Sequence, residues 1–190
     1  MKAPHMLVLV LTIALAAIFR PAHADAAPVT QPSLAKAVAA LEAETGGKVL
    51  EIRFVDEVGH ERFESVIAKS DEVIYMAIDP VTEDVTKIDI KELPAWMLNW
   101  KLTAYVKSIE KATVPLAKAI TEAEAMAGAP AIGAGLAKPL TGANEVLAYN
   151  VELLAHGKRE RVAIDATTGA KIANPEELYV SWTPVKLVRH

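Results

Sequence analysis

Six carboxylates in the N-terminal half have the clearest capacity for chemistry. Asp56, Glu57 and Glu61 fall in one polar segment, and Asp79, Glu83 and Asp84 in another. Hard cations such as calcium take six or more oxygen ligands, which carboxylates on neighbouring loops can supply. A trivalent lanthanide ion would be drawn to the same set more strongly by its charge. The flanking segments read as consecutive strands of a meander, in which the first and third turns fall at the same end of the sheet. With one strand between them, the strand axes are about 10 Å apart. These six residues are the candidate metal ligands, and ordinary solvated turns of an acidic protein are the alternative. No Asp-x-Asp-x-Asp-Gly calcium loop accompanies them.

Other reactive constellations are missing from the sequence. There is no cysteine and no Gly-x-Ser-x-Gly, and beyond Ala24 the only histidines are His60, His156 and His190. A hydroxyl or thiol nucleophile with its base is therefore not indicated. The segment His60-Glu61-Arg62-Phe63-Glu64 lacks the second histidine of a zinc-protease helix. Gly133-Ala134-Gly135 with Lys138 lacks Gly-Lys-Ser/Thr, and Pro139 interrupts the helix a phosphate loop would need. No acid pair is singled out for glycoside chemistry. The chain is expected not to be an enzyme.

The elements that must position such residues follow from composition and pattern. The 190 residues are 52% apolar with a formal charge of −4, the composition of a folded chain and not a disordered one. The acidic balance disfavours nucleic acid as a partner. Lys2, the apolar run 6–19 and Ala22-His23-Ala24 form a secretory leader with a small-x-small cleavage pattern. Arg20 and Pro21 end the run short of the roughly 20 residues a membrane span needs, and no second run follows. Residues 1–24 are expected to be removed, leaving a periplasmic protein with no stable membrane span. Charge is divided unevenly after that point. Residues 25–92 hold 15 acids and 7 bases, net −8, while residues 93–190 hold 9 acids and 11 bases, net +2.

A repeat is visible. Leu34-Ala35-Lys36-Ala37-Val38 returns as Leu116-Ala117-Lys118-Ala119-Ile120. At a slightly longer offset, Ala77-Ile78-Asp79-Pro80-Val81-Thr82 returns as Ala163-Ile164-Asp165-Ala166-Thr167-Thr168. Between them, Phe63-Glu64-Ser65-Val66 aligns with Tyr149-Asn150-Val151-Glu152. Each copy predicts a helix followed by strands. Ser33 is the cap of a helix with Leu34, Ala37, Val38 and Leu41 at helical spacing, ended by Gly46-Gly47. Thr113 is the candidate cap of the second, with Pro115 in its first turn, Leu116, Ala119, Ile120 and Ala123 as its stripe, and Gly128 and Pro130 as its stop. Strands are predicted over 49–55, 63–68, 73–78, 146–154 and 160–164. Residues 128–142, rich in Ala and Gly, are expected to form a weak or irregular edge strand. Asp165 to Gly169 has the composition of a tight reversal before a further strand at 170–172. In the first copy Glu83 stands where that reversal has Gly, so its turn is expected to differ.

These residues resemble the PepSY domain, a small α+β module. The likeness rests on the helix "LAKAI", the meander after it, and "VAIDATTGAKI" at 162–172, similar to that family's Val-Asp-x-x-Thr-Gly ending. It implies an α+β fold of two PepSY-like modules at 32–90 and 113–173, each a helix packed on a small antiparallel β-meander. The first departs from the family pattern at Pro80 and Glu83. A Trp-containing connector at 91–112 joins the modules, and 174–190 is a C-terminal extension. Family members generally are not enzymes, so the resemblance implies a non-catalytic binding or regulatory protein and brings no catalytic residue. Related modules in peptidase propeptides suggest an inhibitor acting in trans, and similar exported tandem proteins are associated with rare-earth handling. The partner is expected to be a periplasmic protein or a metal ion. Trp96 and Trp100 in the connector are the candidate partner-binding residues. That segment reads either as a helix opened by Pro94, with Leu98, Leu102, Tyr105 and Ile109 on one face, or as a strand through Trp100, Leu102, Ala104 and Val106.

Overall fold

In a computed structural model of the chain, the described residues are 33–57, 60–70, 72–87, 93–94, 106–139, 146–173 and 178–179. All belong to one unit, Gln31–His190, while Met1–Thr30, with the expected leader, lies outside the described residues. No helix among the described residues is long and apolar enough to cross a membrane.

Helix α1, Leu34–Thr45, forms where its apolar spacing predicts it and buries Leu34, Ala37, Val38 and Leu41. Ser33 Oγ accepts a hydrogen bond from the Lys36 N–H at 3.3 Å, satisfying one of the unpaired donors of the first turn. Gly46, at φ +68°, ends the helix, its N–H donating to Glu42 O. Helix α2, Leu116–Ala127, repeats this in the second half, ending at Gly128 with φ +63°. Its cap differs from expectation. Pro115 occupies the N-cap position, and no side chain caps the helix. Thr113 is drawn away to the Asp165 turn, where its Oγ1 donates to Thr167 O at 2.6 Å and its N–H to Ala166 O.

The strands are β1 Lys48–Glu57, β2 His60–Lys69, β3 Glu72–Ile78, β4 Val85–Lys87, β5 Leu93–Pro94, β6 Ala131–Pro139, β7 Ala148–Ala155, β8 Lys158–Asp165 and β9 Leu178–Tyr179. They form an antiparallel sheet in the order β4-β3-β2-β1-β6-β7-β8, with β5 on β3 and β9 on β6. The fold is α+β, with one large sheet and few helices. Both helices pack on the same core, in which Leu41, Ile52, Ile67, Ile120, Leu153 and Ile164 are fully buried.

The expected edge strand at 128–142 is instead the central β6, hydrogen-bonded to β1 on one side and β7 on the other. Its small residues suit a crowded centre. A Cβ on Gly135 would stand 3.1 Å from Leu50 O and 3.4 Å from Glu51 Cα. The seam between the halves is the short ladder Glu51↔Gly135, Ile52↔Ala134, Arg53↔Gly133. Ile52 and Ala134 are separated in the chain by the same offset as Leu34 and Leu116. The ladder is therefore symmetric about this pair, the pattern of a local two-fold axis.

The irregularities repeat too. β1 shifts register against β2 between Val49 and Glu51, and β6 against β7 between Ala131 and Gly133. A bulge leaves a backbone donor without its ladder partner. In each half the same helical glutamate satisfies one: Val49 N–H donates to Glu42 Oε1 at 3.0 Å, and Ala131 N–H to Glu124 Oε1 at 2.9 Å. Burial raises the pKa of Glu42 above the usual carboxylate range, against this hydrogen bond and the nearby Lys48.

The reversal after β3 also matches the one after β8, contrary to expectation. Asp79 Oδ1 accepts from the N–H groups of Val81 and Thr82 as Asp165 Oδ1 does from Thr167 and Thr168. Glu83 takes the left-handed φ of +60° where Gly169 has +78°. The Asp79 and Thr82 hydrogen bonds hold the loop closed, so Glu83 accepts a cost of about 1 kcal/mol for a residue with a Cβ. Glu83→Gly is therefore expected to raise stability by about 0.5 kcal/mol, after the extra chain entropy of glycine is subtracted. A urea midpoint unchanged or lowered in this variant would refute that account. The strand expected at 170–172 reduces to a single bridge, Ile164↔Lys171, with the Ile172 N–H donating to Ala163 O.

Within 91–112, Pro94 lies in β5 opposite Glu72 and does not open a helix. A proline fits there because β5 is a two-residue strand added outside the main strand order, where a ladder donor can be spared. Residues 106–109 are helical, with Val106 and Ile109 buried in the core, so the strand alternative does not hold at Val106.

Candidate functional site

The six acids fall into two sets, three on the β1–β2 hairpin and three in the turn after β3. Asp56, Glu57 and Glu61, expected in a turn, belong to strands, with Asp56 opposite Glu61 and Glu57 opposite His60. Pairing continues through this polar stretch, and Arg62 ties it together by binding Glu57 at 3.2 Å and Glu64 at 2.6 Å. Its hydrogen bonds to Glu64, ahead of those to Glu57, raise the Arg62 pKa further. The turn after β3 does lie at the same end of the sheet. Ile78 pairs with Phe63, however, so the β1–β2 hairpin runs on beyond it to His60, about 10 Å further. Asp79 is occupied by its own turn, whose hydrogen bonds from Thr82 and Val81 lower its pKa. Asp84 also serves that turn, its carbonyl accepting from the Asp79 N–H. Among the described residues no group of three or more His, Asp or Glu is placed to hold a metal ion. Trp96 and Trp100 lie outside the described residues.

A different set meets on the sheet face turned away from the helices. Directly opposed residues of an antiparallel sheet share a face, so one row across the seam reads Tyr75, Val66, Glu51, Gly135, Asn150, Ala163. The next reads Ala77, Glu64, Arg53, Gly133, Glu152, Arg161. Two glycines thus leave a strip without side chains between Glu51 and Arg53 on one side and Asn150 and Glu152 on the other. Glu64 is 8% exposed and is satisfied by Arg53 at 3.1 Å and by Arg62. Glu51 has no such ion pair among the described residues: burial pushes its carboxyl up to about 7, only partly opposed by Arg53. Asn150 is 4% exposed, and its Oδ1 has no hydrogen-bond partner among the described residues. The parity of Glu51 and Arg53, Gly133 and Gly135, and Asn150 and Glu152 is visible in the sequence. Which strands lie side by side is not, so sequence patterns alone do not single these residues out.

The comparisons with known proteins bear on the C-terminal half. Residues 113–173 match the family model described as peptidase propeptide and YPEB domain, PepSY. This segment is similar to a PepSY domain. It comprises α2 and β6 to β8, closed by the Asp165 turn against Thr113. A search of curated proteins found no match. Among solved structures the chain is similar to a protein of Clostridium difficile 630 described as a "putative lipoprotein", with 12% identity, 75% of this chain and 91% of that chain covered, and a TM-score of 0.45.

The matched segment ends the described strand order at β8. Residues 163 and 165 turn their backbone groups away from β7, as the bonds Ile172 N–H to Ala163 O and Asp165 N–H to Ala170 O record. By strand alternation Arg159 and Arg161 turn theirs the same way. Lys158, Arg159, Glu160 and Arg161 are all exposed, and Arg159 reaches Glu152 only at 3.5 Å.

Proposed function

We propose that the chain is an exported, non-catalytic binding protein in which residues 32–90 form a second PepSY-like module beside the PepSY domain at 113–173. The observation that carries this reading is the recurrence, at one constant offset in the chain, of the C-cap glycine, the glutamate-bound bulge donor and the seam residue. The matched Asp79 and Asp165 turns support it further. Export rests on the leader pattern of residues 1–24.

The partner is a protein that adds an extended, acidic segment to the outer edge of β8. Strand addition takes its affinity from main-chain hydrogen bonds and its selectivity from side chains. Lys158, Arg159 and Arg161 favour acidic residues there. They also disfavour a second copy of the same strand, since antiparallel pairing about Glu160 would set Arg159 against Arg161. The full mature chain, immobilised and exposed to periplasmic extract, should recover one stoichiometric companion. Arg161→Pro removes an outward N–H without touching the β7 ladder, so it should abolish capture while leaving the melting temperature close to wild type. Capture unaffected by this substitution would refute the edge. An empty capture together with thermal stabilisation by calcium or a lanthanide would transfer the reading to cation binding. A peptidase as the companion would make the chain an inhibitor acting in trans, the reading favoured by the family description.

A further inference from the structure

Two groups at the seam each lack what the other can supply. Glu51 on β1 and Asn150 on β7 flank Gly135 in one row and on one face. Their strands are two steps apart, about 10 Å between backbones. With no side chain on Gly135, no described side chain at that rung stands between the glutamate and the asparagine. Asn150 Oδ1 is buried and can only accept a hydrogen bond, and none from the described residues reaches it. An ionised carboxylate can only accept as well, whereas a protonated one gains an O–H donor.

We propose that Glu51 and Asn150 form a proton-operated latch across Gly135: the protonated carboxyl of Glu51 donates to Asn150 Oδ1, and ionisation withdraws that bond from the seam between the two halves. The ladder it reinforces is short, running only from Glu51 to Arg53. Among the described residues, the charged and titratable groups facing Glu51 are Arg53 on its own strand, Glu64 and Arg62 on β2, Tyr75 on β3 and Glu152 on β7. β6 contributes only Gly133 and Gly135. Arg53 and Arg62 are engaged by Glu64, and burial raises the Glu51 carboxyl with Arg53 only partly opposing it. Tyr75 is itself raised, by burial first and then by the Glu51 charge.

The pH direction follows from the elevated carboxyl. Glu51 titrates near 7 in the folded chain against 4.5 as its ordinary value. Its contribution to stability is complete below about 4.5 and is lost as pH rises through about 7.

The test is a carbon-detected NMR titration of the full mature chain. The Glu51 carboxyl should titrate near 7, and the Asn150 side-chain amide should shift with the same midpoint. Glu51→Gln should remove that step from Asn150 and flatten the matching part of the melting-temperature profile between pH 5 and 8. Asn150→Val should lower the Glu51 midpoint by about one pH unit, because the neutral form loses its acceptor. Burial alone makes the opposite prediction, a midpoint unmoved or raised by the more apolar valine. That outcome, or an Asn150 amide that does not titrate in the wild type, would overturn the latch. The wild-type and Glu51→Gln titrations decide the matter even if Asn150→Val does not fold.

Discussion

Gly47→Ala is expected to lower the unfolding free energy by about 3 kcal/mol, the upper part of the range for overpacking a close-packed site. Any Cβ at this position would stand 2.6 Å from Ala68 O and 2.7 Å from Ile67 Cγ2. A backbone carbonyl within the β2 strand cannot step aside as a long side chain can, so the strain passes into the β1–β2 pairing. Its neighbour provides the internal comparison. Gly46 has nothing within 4 Å of a built Cβ, but holds φ at +68°, so Gly46→Ala should cost only about 1 kcal/mol for the left-handed backbone. The counterpart of Gly47 in the second half is Ala129, so the close approach is particular to the first. Urea denaturation of the two variants checks the order of effects. Equal costs, or a larger one at Gly46, would mean that conformational freedom and not contact with β2 selects glycine at 47.

Ile52→Ala should cost about 2–5 kcal/mol, the range for deleting most of a buried aliphatic side chain. Ile52 is fully buried at the centre of the seam, opposite Ala134, and belongs to the core shared by α1 and α2. Ala134 is small, so the space Ile52 vacates would be filled only by movement of the helices. Because one core serves both halves, unfolding should remain a single transition, whether followed by a probe in β2–β3 or in β7–β8. Two separated transitions would show that each half is stable alone, and would limit the seam to a contact between independent modules.

Much of the local structure was legible in the residues. Ser33, the stripe through Leu41 and Gly46 define α1 because capping and helical periodicity act within a few residues. The same spacing from Leu116 to Gly128 defines α2 for the same reason. The Asp165 reversal was likewise readable from Asp and Gly alone. The Asp79 reversal was misjudged, because the side-chain hydrogen bonds that hold Glu83 left-handed outweigh its own preference. At Thr113 the error was of another kind. A residue suited to cap a helix found a stronger partner in Thr167, 54 positions away in the chain.

The candidate site shows the limit more sharply. Placing the six acids by their turns got the end of the sheet right but not the hairpin length. Strand pairing runs through Asp56 and Glu61, with Arg62 bound to Glu57 and Glu64 beside them. The bare strip over Gly133 and Gly135 needed one further fact, that β6 lies against β1. Alanine and glycine in a strand are compatible with a loose edge or a crowded centre, and only the neighbouring chain distinguishes them.

From its amino acids alone this protein had helices α1 and α2, their ends, the repeating order of elements and the absence of nucleophilic motifs, since each depends on residues close together in the chain. Folding in three dimensions decided that the halves join through β1 and β6, that Glu51 and Asn150 share a row, and that the acidic residues are divided between an ion-paired hairpin and a self-satisfied turn. Those outcomes depend on hydrogen-bond registers between segments far apart in the chain, for which no local pattern carries a preference.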